Sequence, residues 1–206
     1  MTTAVATLTP TSNQTPVVAN ITDELSGAQW VSRFPGSAST SDLTGQFRSS
    51  VENFIAALTQ AGASVIISAT LRPVERAYLM HWSWKITNGT TPNSVPGMAG
   101  VDIEWVHPNN NASIQAAQAM VNAFGMGSLG VAPALNSRHT QGSAIDMSIS
   151  WSGNLSIVKA NGTTEVISSS PRTGMNSTLH AVGASYGVTK YQGSGVDRPH
   201  WSTDGH

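Results

Sequence analysis

Two histidines in this sequence are spaced from a carboxylate in a way that suits a metal site. His139 precedes Asp146 by seven residues, and Asp197 precedes His200 by three. Because the chain has no cysteine, histidine and carboxylate side chains are the available metal ligands. Zinc accepts both ligand types, and a catalytic zinc site combines three protein ligands with an open position for water. We therefore predict that His139, Asp146 and His200 bind a zinc ion.

Asp197 is then left as a candidate general base beside these ligands. Pro199 directs Arg198 towards extended or polyproline geometry, whose period of about three residues places Asp197 and His200 on the same side of the chain. The Asp197 carboxylate can take a proton from a water molecule in the open position, while zinc polarises the carbonyl of the bond to be cut. These residues predict a zinc-dependent hydrolase.

The segment around His139 predicts a turn followed by a strand. His139 lies three residues before Gly142, and residues 142–150 alternate between apolar and polar side chains. Alternation of this kind is typical of a strand with one face on the core. Asp146 falls on the polar face, so His139 and Asp146 can reach one ion.

A second strand is predicted earlier in the chain. Residues 64–70 are apolar and β-branched, which indicates a short buried strand. Pro73 suits the first turn of a helix that runs to about Lys85. A strand-to-helix junction is therefore predicted at Leu71 and Arg72.

The rest of the chain completes an α+β pattern of helices packed against a small antiparallel sheet. Asn161 and Gly162 predict a hairpin turn between strands at 155–158 and 163–167. Residues 88–111 are predicted to form a long loop, of a kind that often lines sites. Apolar spacing predicts four further helices. The first spans residues 22–34, with Leu25, Ala28 and Val31 on one face, and the second is capped by Ser41 or Asp42 and ended by Gly62. The third has Ile114, Ala117, Val121 and Phe124 facing inward, and the fourth runs from Met175 to Tyr186.

Composition limits the classes of protein to which this chain can belong. Its 206 residues are 39% hydrophobic and 10% charged, against about 25% charged in a typical soluble domain. That supports one core and predicts a flexible N-terminal tail at residues 1–20 followed by a single domain at residues 21–206. A net charge of −1 without a run of Lys or Arg argues against nucleic acid as a partner. No stretch reaches the roughly 18 to 20 apolar residues that stable membrane insertion requires.

Two short motifs give the chain a resemblance to a known family. The first, SxHxxGxAxD, is matched at Ser137, His139, Gly142, Ala144 and Asp146. The second, DxxHW, is matched at Asp197, His200 and Trp201. From about residue 42 to residue 201, the chain resembles the zinc peptidases of the D-Ala-D-Ala carboxypeptidase and L-alanyl-D-glutamate endopeptidase family, which share a fold with the hedgehog signalling domain.

The resemblance implies an α+β fold of that type and adds two candidate substrate contacts. Arg72 occupies the place where the family has an arginine at the end of a strand, and Ser137 matches a small polar residue before the first ligand. The alternative for Arg72 is to cap the preceding strand or to pair with Glu75 or Glu104.

The residue at the base position bears on the substrate. Carboxypeptidase members usually have glutamate there, whereas Asp197 resembles the phage endolysins that cut between L-Ala and D-Glu in peptidoglycan stem peptides. The resemblance therefore implies a bacteriolytic, monomeric L-Ala-D-Glu endopeptidase with stem peptides as its partners. Since residues 1–20 lack the pattern of a secretion signal, we expect synthesis in the cytoplasm and action on the cell wall after release. The alternatives are a D-Ala-D-Ala carboxypeptidase and a non-catalytic, zinc-bearing wall-binding or virion protein.

The other histidines and most tryptophans are assigned to packing. None of the four remaining histidines has a partner at ligand spacing, so each is predicted to lie at the surface or against a helix: His81, His107, His180 and His206. Core packing is preferred over an aromatic wall for most of Trp82, Trp84, Trp105 and Trp201.

Overall fold

The structure, a computed structural model, describes residues 23–193 and 197–206. The tail predicted at residues 1–20 lies outside these ranges. The helices are α1 (Gly45–Gln60), α2 (Val74–Thr87), α3 (Asn110–Ala123) and α4 (Ser177–Ser185). The strands are β1 (Glu24–Leu25), β2 (Ser64–Ala69), β3 (Ile103–Glu104), β4 (Ala144–Ser150), β5 (Leu155–Val158), β6 (Thr164–Ile167), β7 (Thr189–Lys190) and β8 (His200–Ser202). Within these ranges, no helix combines the length and apolarity needed to cross a membrane.

An antiparallel sheet with strand order β2-β4-β8-β7 positions the candidate site. In the register of β4 and β8, Asp146 lies directly opposite His200. Paired residues of neighbouring antiparallel strands project from the same face, so this register brings the two side chains together. On the other side of β4, a bulge between Ile67 and Ala69 places Ala69 opposite Asp146. The predicted α+β class with a small antiparallel sheet is confirmed.

The first hydrophobic core lies between α1, the central sheet and α4. Residues at helical spacing along α1 are buried in this core, which confirms the helix predicted before Gly62: Phe47, Val51, Phe54 and Leu58. The apolar face of β4 meets them with Ile145, Met147 and Ile149, which confirms the alternation predicted for this strand. Gly62 follows α1 with a φ of +89°, a backbone conformation that suits glycine at a helix end.

A second hydrophobic core lies beneath α2 and α3. It contains Trp30, Tyr78 and Trp105, and the Trp105 Nε1–H donates a hydrogen bond to Tyr78 Oη at 3.1 Å. The helix predicted after Pro73 is confirmed as α2, which begins immediately after that proline. The segment that joins β2 to α2 contains Arg72.

The helix predicted at residues 22–34 is wrong. The structure has β1 followed by a 3-10 helix at Ala28–Ser32, and β1 pairs in parallel with β3. The Glu24 N–H donates to Asp102 O and the Ser26 N–H donates to Glu104 O, so distant backbone groups satisfy this segment better than its own carbonyls could. Leu25, predicted to lie on the buried face of that helix, is in β1 and is 43% exposed.

Three other local predictions need correction. The predicted buried strand, β2, is an edge strand of the sheet, and Ile66 on it is 66% exposed. Ile114, predicted to point inward, is 37% exposed because α3 packs on α2 along a neighbouring face. Ser41 and Asp42 belong to a separate 3-10 helix at Thr40–Asp42, and α1 begins after Thr44.

Candidate metal centre

Three side-chain atoms from the turn before β4, from β4 and from β8 form a small triangle. His139 Nε2 lies 3.2 Å from Asp146 Oδ1 and 3.2 Å from His200 Nδ1, and His200 Nδ1 lies 3.3 Å from Asp146 Oδ1. The two histidines are buried, while 19% of the Asp146 side chain is exposed. In the described part of the chain, this is the group of three that can hold a metal ion.

In each histidine of the triangle, a hydrogen bond to a backbone oxygen fixes one ring nitrogen as the donor. The other ring nitrogen, which faces the triangle, is then free to accept. His139 Nδ1 lies 2.9 Å from Thr70 O, and His200 Nε2 lies 3.2 Å from His206 O. A backbone oxygen of either residue accepts only, so these two nitrogens carry the ring protons. In the neutral rings, His139 Nε2 and His200 Nδ1 therefore direct lone pairs at Asp146 Oδ1. Three electron-rich atoms converge on one point, which is the arrangement that a cation requires.

The electrostatics of the triangle agree with this arrangement. Burial alone would raise the pKa of Asp146, but His139 and His200 outweigh burial and hold that pKa below its usual range. Burial would lower the pKa of His200, but the Asp146 carboxylate outweighs it and raises that pKa. Asp146 is thus a carboxylate that attracts positive charge, which a proton on His200 or a metal ion can supply.

The turn that presents His139 depends on Gly142. Its φ is +64°, and a Cβ at this position would lie 2.9 Å from Thr44 Cγ2 and 3.1 Å from Asp42 O. Any other residue would therefore be strained and crowded at this point. The glycine of the first sequence motif has a physical role, since it lets the chain turn from His139 into β4 against the segment that precedes α1.

Asp197 lies beside the triangle without belonging to it. Its Oδ2 is 4.0 Å from His200 Nδ1, and 48% of its side chain is exposed. The distance exceeds that of a hydrogen bond, so Asp197 is neither bonded to His200 nor part of the ligand group. The prediction that Asp197 and His200 share one side of the chain is confirmed by this proximity. A half-exposed carboxylate at this distance from a ligand atom can exchange protons with water.

Arg72 lines a cleft of about 330 Å³ that reaches His139. Arg72 does not pair with Glu75 or Glu104, the two partners considered from the sequence. Among the described residues, its guanidinium has no hydrogen-bond or ion-pair partner. The backbone N–H of Arg72 donates to His139 O at 3.1 Å. Burial lowers the pKa of Arg72, and the nearby charges of Asp146 and Asp197 oppose that shift. Arginine stays charged under such conditions, so Arg72 presents unused donors to the cleft.

Ser137 lies near His200, the second histidine of the triangle. It lines a second cleft, of about 360 Å³, together with His200 and His206. Its hydroxyl accepts a long hydrogen bond from the Thr140 N–H at 3.4 Å. The first cleft reaches the triangle at His139 and the second reaches it at His200, so each cleft borders one of the two histidines.

The remaining histidines do not join the triangle through their rings. His81 Nδ1 lies 2.8 Å from Pro133 O, His107 Nε2 lies 3.0 Å from Ser26 Oγ, and His180 Nε2 lies 3.0 Å from Gly174 O. Trp105 and Trp201 are buried in the two cores, as expected for core packing.

Sequence reasoning missed the two residues that orient the ligands through their backbones. Thr70 and His206 act through backbone oxygens, which every residue carries, so their side-chain types gave no signal. The backbone of His206 is itself held in place, because the His206 N–H donates to Ser202 Oγ at 3.0 Å. Arg138, the residue before His139, forms an ion pair with Asp204, which lies two residues before His206.

Comparison with known proteins adds no relative to this description. No protein-family model matches the chain, and neither a curated protein nor a solved structure shows a significant match.

Proposed function

We propose that this protein is a zinc-dependent peptidase that hydrolyses the stem peptides of bacterial peptidoglycan. One observation carries the proposal. A triangle of two histidines and one aspartate can hold a metal ion, and a further carboxylate, Asp197, is half exposed and stands 4.0 Å from the ligand atom of His200. A site that only stores a metal has no need of a free carboxylate at that position.

Zinc is the metal that suits this ligand set. Tetrahedral zinc bonds of about 2.0 Å would separate the ligand atoms by about 3.3 Å. The three sides of the triangle, 3.2, 3.2 and 3.3 Å, agree with that spacing. Imidazole nitrogen together with one carboxylate oxygen favours zinc over magnesium or calcium, which prefer oxygen ligands. Three protein ligands leave a fourth position open, as catalytic zinc requires.

The residues around the triangle can divide the work of amide hydrolysis. A zinc ion held there would polarise the substrate carbonyl and make a water molecule more acidic. Asp197 would take the proton from the attacking water and pass it to the leaving amine. Arg72, with its unused donors in the adjoining cleft, would bind a substrate carboxylate or backbone carbonyl and keep the scissile bond beside the triangle. Ser137 would contact the part of the substrate that lies in the second cleft.

Replacing Arg72 by methionine tests its substrate role. Methionine keeps much of the apolar stem and removes the donors, so we expect kcat/KM to fall by roughly 10²- to 10³-fold, the scale for losing a positioned donor. Zinc affinity should not change, because Arg72 does not belong to the ligand triangle. Kinetics on purified stem peptides and zinc titration of the same samples provide both readouts. Wild-type kcat/KM in the methionine variant would contradict the role, and Arg48→Met is a control at a surface ion pair.

The proposed bond is the one between L-Ala and D-Glu. Its support is the aspartate at position 197, which matches the endolysin-like members of the family that the two sequence motifs resemble. The same resemblance supports the finer fold proposal, a domain of the hedgehog and D-Ala-D-Ala peptidase type. An internal cut also fits the two clefts, since each borders one of the two histidines and offers substrate a surface to contact.

Mass spectrometry of purified peptidoglycan after digestion tests the proposed bond. We expect released peptides that begin with D-Glu and glycan strands that keep L-Ala on the lactyl group. The zinc-loaded wild type should give these products, and a sample depleted of zinc by a chelator should not.

Two other results would contradict the proposed bond. Release of D-Ala alone would assign the protein as a carboxypeptidase. Binding of zinc and of peptidoglycan without any product would assign it as a wall-binding or virion protein.

A further inference from the structure

Lys190 is a buried cation beside the candidate site. The residue is 4% exposed, lies on β7, and pairs with Trp201 of β8. Its Nζ stands 5.3 Å from the centre of the Trp201 ring. Removing an ammonium group from water is costly unless its donors are satisfied, so a lysine at such a position calls for a specific role.

The three donors of Lys190 all bind backbone carbonyls of one short segment. Nζ donates to Asp197 O, Arg198 O and His200 O, each at 2.8 Å. An ammonium group has three N–H donors, so its capacity is fully used. This segment carries both the His200 ligand and the Asp197 carboxylate.

Backbone pairing alone does not hold this segment. The carbonyl of Pro199 accepts from the Met147 N–H at 2.8 Å, and that of His200 accepts from the Tyr191 N–H at 3.2 Å. Among the described residues, the donor to the carbonyls of Asp197 and Arg198 is Lys190. Lys190 therefore fixes the part of the segment that sheet hydrogen bonds do not reach.

The charge of Lys190 is compatible with this role. Burial lowers its pKa, and the carboxylates of Asp197 and Asp146 oppose that shift by favouring the charged form. In the described part of the chain, Lys190 forms no ion pair, so the three carbonyl dipoles are its direct partners.

We propose that Lys190 is a positioning residue for the metal centre. By holding three carbonyls of residues 197–200, it directs His200 Nδ1 at Asp146 and His139 and keeps the Asp197 carboxylate near that nitrogen. The positioning of Asp197 as a base rests on the proposed function. The positioning of His200 requires only that the triangle binds a metal.

The test uses Co²⁺ as the metal probe, because its visible absorption reports the ligand geometry. In the full chain, Lys190→Met is expected to bind Co²⁺ about 10- to 100-fold more weakly, the range seen when residues that support metal ligands are changed. The visible spectrum of the saturated variant should also differ from that of the wild type. Wild-type affinity and spectrum in a folded Lys190→Met variant would overturn the proposal.

Val188→Ala is the matched control for a merely structural effect. Val188 is fully buried and lies two residues before Lys190 in the chain, so its truncation should lower the melting temperature without touching the three carbonyls. We expect wild-type Co²⁺ affinity and spectrum for this control. If Val188→Ala weakens Co²⁺ binding as much as Lys190→Met does, general destabilisation explains both results and the proposal fails.

Conservative variants keep the test decisive if Lys190→Met does not fold. Lys190→Arg retains charge and donors and should remain closer to the wild type in Co²⁺ affinity than Lys190→Gln, whose shorter side chain cannot reach all three carbonyls. A folded Lys190→Gln variant with wild-type affinity and spectrum would overturn the proposal.

Activity separates this inference from the proposed function. If wild-type protein cuts stem peptides, Lys190→Met saturated with Co²⁺ should lose kcat more than it changes KM, since Asp197 is no longer held in place. An unchanged kcat would overturn the Asp197 part. If the wild type cuts no stem peptide, the proposed function fails, and the Co²⁺ measurements still decide whether Lys190 positions His200.

Discussion

Replacing His139 by alanine is expected to abolish stoichiometric zinc binding. The imidazole supplies one corner of a triangle whose sides are 3.2, 3.2 and 3.3 Å, and two remaining ligands compete poorly with water for the ion. We expect a loss of affinity larger than the roughly 10- to 100-fold that follows when only a supporting hydrogen bond is removed. Asp146→Ala and His200→Ala should behave alike, because each removes one of the three ligands.

Metal analysis after dialysis and thermal unfolding with added zinc provide the measurements. A ligand that binds only the folded state stabilises it by about 2.7 kcal/mol at 100 times its Kd. Zinc should therefore raise the melting temperature of the wild type and leave that of His139→Ala unchanged. His81→Ala is the matched control, because its ring contacts Pro133 O and lies outside the triangle. Stoichiometric zinc in both His139→Ala and His200→Ala would show that the site is assigned wrongly.

Replacing Asp197 by asparagine is expected to reduce hydrolysis by roughly 10²-fold or more while zinc binding persists. Asparagine has the same shape as aspartate but cannot take a proton from water at neutral pH. The side chain is 48% exposed and lies 4.0 Å from His200 Nδ1, so its replacement should disturb neither the ligands nor the fold.

Turnover of stem peptides and zinc content of the same preparation separate a base from a ligand. Loss of both turnover and zinc would make Asp197 a ligand. Turnover near that of the wild type would exclude it as the base. Asp102→Asn is a suitable control, since Asp102 is exposed and its contact with Glu24 uses a backbone oxygen.

Elements whose pattern depends on near neighbours were predicted well. The period of apolar residues in α1 and the alternation in β4 report directly which face meets the core. Residues 22–34 were mispredicted because β1 is stabilised by β3, a partner that lies far along the chain. The burial of β2 was mispredicted for the same reason, since an apolar run does not reveal whether its strand has one neighbour or two.

The candidate site likewise contains some residues that the sequence identified and one that it did not. Residue types and short spacings identified His139, Asp146, His200 and Asp197 as the groups able to do chemistry, and the structure brings them together. Nothing in the sequence indicated that Lys190 would bind the segment containing Asp197, because a lone lysine is usually a surface residue.

The sequence by itself determined the chemical groups and the local geometry that presents them. The left-handed turn at Gly142 and the polar face of β4 follow from residues within a few positions of each other. The tertiary structure alone decided that β8 lies beside β4 in the register that sets Asp146 opposite His200. It also decided that backbone oxygens of Thr70 and His206 orient the two rings. The reason is physical: backbone groups are the same in every residue, so their partners depend on which distant segments the packing of the core brings into contact.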